Sequence, residues 1–172
     1  LDKEKINVLK FASVLIDEVG KQISNIYSHP IKEMAADAYW KHYIGDSRSS
    51  LSEYIYRRSS YNQFKFTNFP LAWHADDKAW LDFSQGGILF GCNHAVIQVR
   101  LSSENISGKK DNLLPKRKAR MMFLEDIIQN KWKYFLGSYR TPDCTCCCTN
   151  CRANEYIIAF GAFCFNVANT AY

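Results

Sequence analysis

Apolar residues recur at three- and four-residue steps from Ile6 through Leu9, Ala12, Leu15 or Ile16, Val19, Ile23 and Ile26. That spacing predicts an amphipathic helix, with Asp2 near its start as a cap. The pattern stops at Ser28 and His29. Pro30 then suits the first turn of a second helix that carries Ile31, Met34, Ala35, Ala38, Trp40 and Tyr43 toward Gly45. The two together predict a helical hairpin at the N-terminal end. After the break at Gly45, Asp46 and Ser47, the segment Ser50 to Arg58 reads as a short third helix, with Leu51, Tyr54, Ile55 and Arg58 on one side.

From Tyr61 the period changes. Phe64 and Phe66 alternate with polar neighbours, which predicts a strand over Gln63 to Thr67, whereas Trp73 to Phe83 has no clean period. Gly86 and Gly87 open two apolar runs, Ile88 to Cys92 and His94 to Leu101, read as two strands or one long bulged strand. Ser102 to Asn112 is polar and reads as a loop. Pro115 to Leu136 returns to helical spacing, with Ala119, Met122, Phe123, Ile127, Trp132 and Phe135 as its buried stripe. A cysteine-rich loop then precedes a last strand from Glu155 to about Val167. The expected fold class is α+β: an N-terminal helical hairpin, a small mostly antiparallel sheet, one further amphipathic helix and the cysteine-rich loop before the last strand. Residues 1–172 are expected to form a single domain, with a helical 1–60 and an α+β 61–172 as the alternative division.

Composition agrees with a packed chain. Of 172 residues 47% are hydrophobic and 23% charged, enough for a core that removes about 70% of the unfolded surface from water. No run of about 18 apolar residues exists, so a membrane-spanning helix is excluded. The sequence starts at Leu1 rather than Met, which leaves a removed secretory leader open.

Charge changes the picture more. Lys109, Lys110, Lys116, Arg117, Lys118 and Arg120 stand against the single carboxylate of Asp111, leaving +5, the whole of the chain's net charge. Cations in the first turns of a helix oppose its macrodipole. Local folding therefore does not account for them, and an external polyanion does. Nucleic-acid phosphate is the expected partner, with an import receptor or an anionic membrane surface as alternatives. A solvated helix start that keeps the protein soluble is the competing explanation.

Five of the seven cysteines fall within Cys144 to Cys151. Cys144 with Cys147, and Cys148 with Cys151, form two C-x-x-C pairs, the spacing with which one turn offers two thiolates to zinc. Consecutive pairs leave little chain to wrap one tetrahedral site. One pair completed by Cys92 and His94 is the more natural donor set. Zinc held this way would be structural and implies an intracellular setting. Oxidised cysteines in a secreted, toxin-like domain are the alternative.

Three catalytic readings follow from short segments. His74, Asp76, Asp77 and Asp82 would suit an oxygen-rich metal site of a nuclease or other hydrolase, with the basic run tracking the substrate. Cys92 and His94, followed by Pro142 and a C-x-x-C, resemble the zinc-dependent nucleoside deaminase signature, although Val96 stands where that family has its proton-shuttling glutamate. Asn154, Glu155, Tyr156, Ile157 and Ile158 resemble the strand bearing the catalytic glutamate of poly-ADP-ribose polymerases. That resemblance implies an NAD ribose contact at Glu155, while the family's upstream histidine followed by glycine is absent. Taken together, the sequence points to a metal-stabilised domain that binds nucleic acid, with a metal-dependent nuclease as the enzymatic alternative and an ADP-ribosyltransferase-like or secreted toxin-like domain as a third.

Overall fold

The computed structural model describes residues 6–102 and 111–137. Its first strand, β1 (Val8–Ile16), replaces the first helix of the expected hairpin. Val8, Lys10, Ala12, Val14 and Ile16 are buried at every second position, with Ser13 buried between two of them. The sequence conceals the strand because one inward position is a lysine, while Leu9, Phe11 and Leu15 occupy the half-buried opposite face. A short strand, β2 (Lys32–Met34), leads directly into α1 (Ala35–Tyr43), so the second expected helix exists but is shorter. Asp37 in its first turn and Lys41 and His42 in its last complement the helix dipole.

The third expected helix is instead a 3-10 turn at Leu51–Glu53 followed by β3 (Tyr54–Tyr56). The strand expected over Gln63 to Thr67 is instead the end of α2 (Arg58–Phe64) and the loop that follows it. Here Phe64 and Phe66 both reach the ring of Phe83 from non-strand backbone, so their alternation is not that of a pleat. The aperiodic stretch is α3 (Ala75–Ser84). It is buried on most of its sides, with polar Asp77 and Ser84 enclosed beside Ala75, Ala79, Trp80, Leu81 and Phe83, which erases the one-sided apolar signal a surface helix gives. Gln85 and Gly86 end it in left-handed backbone, and the Gly86 amide donates to the Leu81 carbonyl at 2.9 Å in a Schellman-type ending.

β4 (Ile88–Arg100) is the single bulged strand. The sheet order is β2-β4-β1-β3, with β1 and β4 parallel and the two outer pairings antiparallel, so the sheet is mixed rather than mostly antiparallel. Register runs from Leu9 opposite Phe90 to Ile16 opposite Arg100. It slips once, where Phe11 pairs Cys92 and Ala12 pairs Val96, leaving Asn93, His94 and Ala95 as extra residues. Asn93 uses the slip: its Oδ1 accepts from the His29 amide at 3.0 Å and its Nδ2 donates to the His29 carbonyl at 2.8 Å.

α4 (Leu113–Asp126) passes through a π-helical turn at Ile127–Lys131 into α5 (Trp132–Gly137), matching the helix expected from Pro115. Ala119, Phe123, Ile127 and Phe135 of its expected stripe are buried, whereas Met122 is exposed. Tyr39 of α1 meets Phe123 and Phe135 edge-on at 5.5 and 5.9 Å, closing a core that also holds Trp80, Leu81 and Phe83. Each of these side chains contributes roughly 1.5–3 kcal/mol by leaving water. The cysteine-rich loop and the last strand lie outside the described residues.

Gly91 sits where β4 passes the Pro30 carbonyl so closely that any Cβ would collide with it. Gly91→Ala is expected to destabilise by about 1–3 kcal/mol, the usual cost of forcing volume into a packed site. Urea denaturation measures this directly, and an unchanged midpoint would refute the close approach.

Candidate functional site

The segment leading into α3 is unusual in its backbone. Leu71, Ala72 and His74 all have positive φ, at 58°, 53° and 66°. For residues with a Cβ this conformation costs roughly 1–2 kcal/mol each. It turns His74 back over the first turn of α3, where Nδ1 lies 2.6 Å from Asp77 Oδ2. The His74 ring stacks on Phe123 at 5.2 Å. Asp77 is buried and its Oδ1 also faces His42 Nε2 at 3.8 Å, while His42 Nδ1 approaches the Ser47 carbonyl at 3.2 Å. Asp77 thus orients two imidazoles. His74 Nε2 is buried and has no hydrogen-bond partner among the described residues.

Asp76, expected to act with His74, is its near neighbour on the same helix start. Burial, and then the charge of Asp77, push its carboxyl up to about 6. A general base needs a nitrogen or oxygen open to substrate, and His74 Nε2 is covered. Asp82, the third expected oxygen donor, is committed elsewhere. Its Oδ2 pairs with Lys78 at 2.9 Å and its Oδ1 with Lys131 at 2.6 Å. Both lysines also reach Asp126 Oδ2, at 2.7 and 2.9 Å. Burial opposes ionisation of Asp126, but hydrogen bonds from Lys78, Lys131 and Asn130 outweigh it and hold the carboxyl below its usual range. This four-residue network fastens α3 to the π turn. It accounts for Asp82 structurally.

A second polar group is enclosed beneath Trp80 and gives no sequence signal. Glu53, with no exposed surface, is ion-paired with Arg48 and accepts from Ser50 Oγ at 3.0 Å. Arg48 also donates to Ser13 Oγ at 3.3 Å. Lys10 Nζ lies 5.5 Å from the ring centres of both Tyr54 and Trp80 and donates to the Arg48 carbonyl at 3.4 Å. Burial lowers the pKa of Lys10, partly offset by Glu53. A buried cation and carboxylate that share partners in this way position each other at an energetic cost that hydrogen bonds only partly return. A lysine inside a strand pattern and a glutamate in a short turn both look solvent-facing in sequence.

The basic segment meets aromatic rings contributed from elsewhere in the chain. Lys116 Nζ lies 4.8 Å from the centre of the Trp73 ring, and the Arg120 guanidinium 5.7 Å from that of Tyr43. Tyr43 in turn stacks on Trp40 at 5.6 Å. All three rings are half-buried, so each keeps some surface in solvent. Arg117 and Lys118 are exposed. Lys109 and Lys110 lie outside the described residues. Trp73, Tyr43 and Trp40 are not legible as site residues in the sequence, because nothing in their own segments ties them to α4.

Cys92 is half-buried on β4 opposite Phe11, and His94 is exposed within the three-residue slip. Cys144, Cys147, Cys148, Cys151 and Glu155 lie outside the described residues, and with them Pro142 and the C-x-x-C of the deaminase resemblance and the whole of the poly-ADP-ribose polymerase one. Among the described residues, no group of three or more His, Cys, Asp or Glu side chains is arranged to hold a metal ion. No described helix is long and apolar enough to cross a membrane. No family model, curated protein or solved structure matches this sequence.

Asp76 gives a test with a defined sign. A carboxyl whose folded pKa lies above its unfolded one favours folding while protonated, and that contribution is lost as pH rises from about 4, the usual carboxylate value, to about 6. Asp76→Asn is therefore expected to raise stability at pH 7 by roughly 1–3 kcal/mol and to leave it near the parent value at pH 4. Denaturant melts of both proteins across that interval check it. Equal stability at pH 7 would show that the carboxyl is not held out of water.

Proposed function

We propose that the protein binds nucleic acid, single strands in preference to duplex, along the flank of α4 that carries Lys116, Arg117 and Arg120. The rings of Trp73, Tyr43 and Trp40 lie beside those cations. Lys118, exposed on the same helix, adds to the local field. The supporting observation is the placement of Lys116 over Trp73 and Arg120 over Tyr43. Single-strand recognition combines a cationic track for phosphates with ring faces on which bases stack. Cation–ring contact alone would steady a solvated helix start by about 0.5–1 kcal/mol; rings that also keep surface in solvent beside a run of cations offer the stacking faces that single strands use.

In the same reading the cysteines between 144 and 151 hold a structural zinc. Elemental mass spectrometry of the reduced protein tests that part: about one zinc per chain supports it, and none removes it.

Binding is read with a fluorescein-labelled oligothymidylate titrated at several salt concentrations. The triple variant Lys116→Gln, Arg117→Gln, Arg120→Gln is expected to weaken binding and to flatten the dependence of log affinity on log salt by about 0.7 for each phosphate that is no longer neutralised. Trp73→Ala is expected to cost about 1–3 kcal/mol, the value of one stacked base, with little change in that slope. Unaltered affinity and slope in the triple variant would overturn the reading. So would binding to anionic vesicles without binding to the oligonucleotide.

A further inference from the structure

α4 turns a second face to solvent, opposite the one that packs. Leu114 is 77% exposed, Met121 39% and Ile128 46%, three large apolar side chains at seven-residue spacing. At about 100° per residue they lie across the helix from Ala119, Phe123 and Ile127, which are buried. Ile128 continues the row because Ile127 still has right-handed helical backbone, with φ −59° and ψ −51°. Apolar side chains one heptad apart on the outside of a helix supply one of the two seam positions in each heptad of a helix pair, and the charged residues beside them set the partner's direction. Lys116 and Arg120 are on the flank toward Trp73 and Tyr43, outside this row.

The charges beside the row identify what covers it. Lys118 and Glu125, both exposed, lie along one side of it, and Arg117, also exposed, along the other. A two-fold axis through Met121 brings a second α4 antiparallel to the first. Leu114 then faces the second copy's Ile128, Met121 faces its counterpart, and Lys118 faces the second copy's Glu125. Parallel pairing would instead bring opposite sides of the row together and set Lys118 against the second copy's Arg117. The antiparallel arrangement is the one complementary in sign, and it has the self-complementary form of a two-fold interface.

We infer that two copies of this chain associate through the outer face of α4, antiparallel and centred on Met121. One helix pair is a small contact by the standard of permanent dimers, so the dimer dissociates on dilution. Association in this geometry does not require nucleic acid, and Arg117 stays on the flank that carries Lys116 and Arg120.

Sedimentation velocity over a dilution series, with nucleic acid absent, tests it. The parent protein is expected to shift from dimer to monomer on dilution. Met121→Glu, which places two carboxylates at the axis, is expected to raise the dissociation constant by about tenfold or more. Glu125→Lys alone is expected to do the same, and adding Lys118→Glu to it is expected to restore association. Circular dichroism confirms that each exposed-site variant remains folded. A parent protein monomeric at all concentrations, or a dimer indifferent to Met121→Glu and to the charge reversal, would overturn the proposal.

Discussion

Parallel pairing of β1 with β4 is the constraint that organises the rest. Two parallel neighbours cannot be joined by a tight turn, so the chain must leave the end of one strand and return to the start of the other. Everything from Asp17 to Gly87 is that return path. The path supplies both outer strands: β3 caps the free side of β1 and β2 the free side of β4. It also supplies α1 and α3, and α3 touches both central strands. Trp80 on α3 then covers Lys10 from above while Tyr54 on β3 covers it from the side. The buried polar group around Glu53 follows from this closure, since a short edge strand has to turn away from the sheet beside an inward-pointing lysine.

What can be read from the sequence follows from how strongly each element advertises one buried face. α4 is legible because its core residues repeat at helical spacing over many positions, with Ala119, Phe123 and Ile127 one turn apart. β4 is legible because Ile88, Leu89 and Phe90 follow two glycines and the β-branched Val96, Ile97 and Val99 continue the strand. β1 is not. Its inward set includes Lys10, and its outward set includes Leu9, Phe11 and Leu15, so the same residues fit a helical period as well as a strand. β3 and the turn before it are too short to carry a pattern. Glu53 reads as solvent-facing until Arg48 is brought to it by the fold.

The candidate site divides the same way. The cations of α4 are visible as a run in the sequence. Their ring partners are visible only in space, because Tyr43 closes α1 and Trp73 sits in the strained approach to α3. His74, Asp76 and Asp82 all stand out in the sequence, yet the physical reasons for their setting differ. His74 is turned by left-handed backbone onto Asp77 and Phe123. Asp76 is a carboxyl kept from water beside another carboxyl. Asp82 belongs to the lysine network that joins α3 to the π turn.

That π turn acts as a phase adjuster. A π turn holds one residue more than an α turn, so the helix on either side of Ile127–Lys131 points its side chains by separate rules. Before the turn, the outward row and the ring-facing cations are set by the packing of Phe123. Beyond it, Phe135 reaches the core and Tyr134 lies against Gly86. Removing one residue there would make a smoother helix and rotate everything after it by about 100°, swinging Phe135 out of its pocket. The irregularity is what allows one continuous rod to satisfy two environments whose spacings do not match.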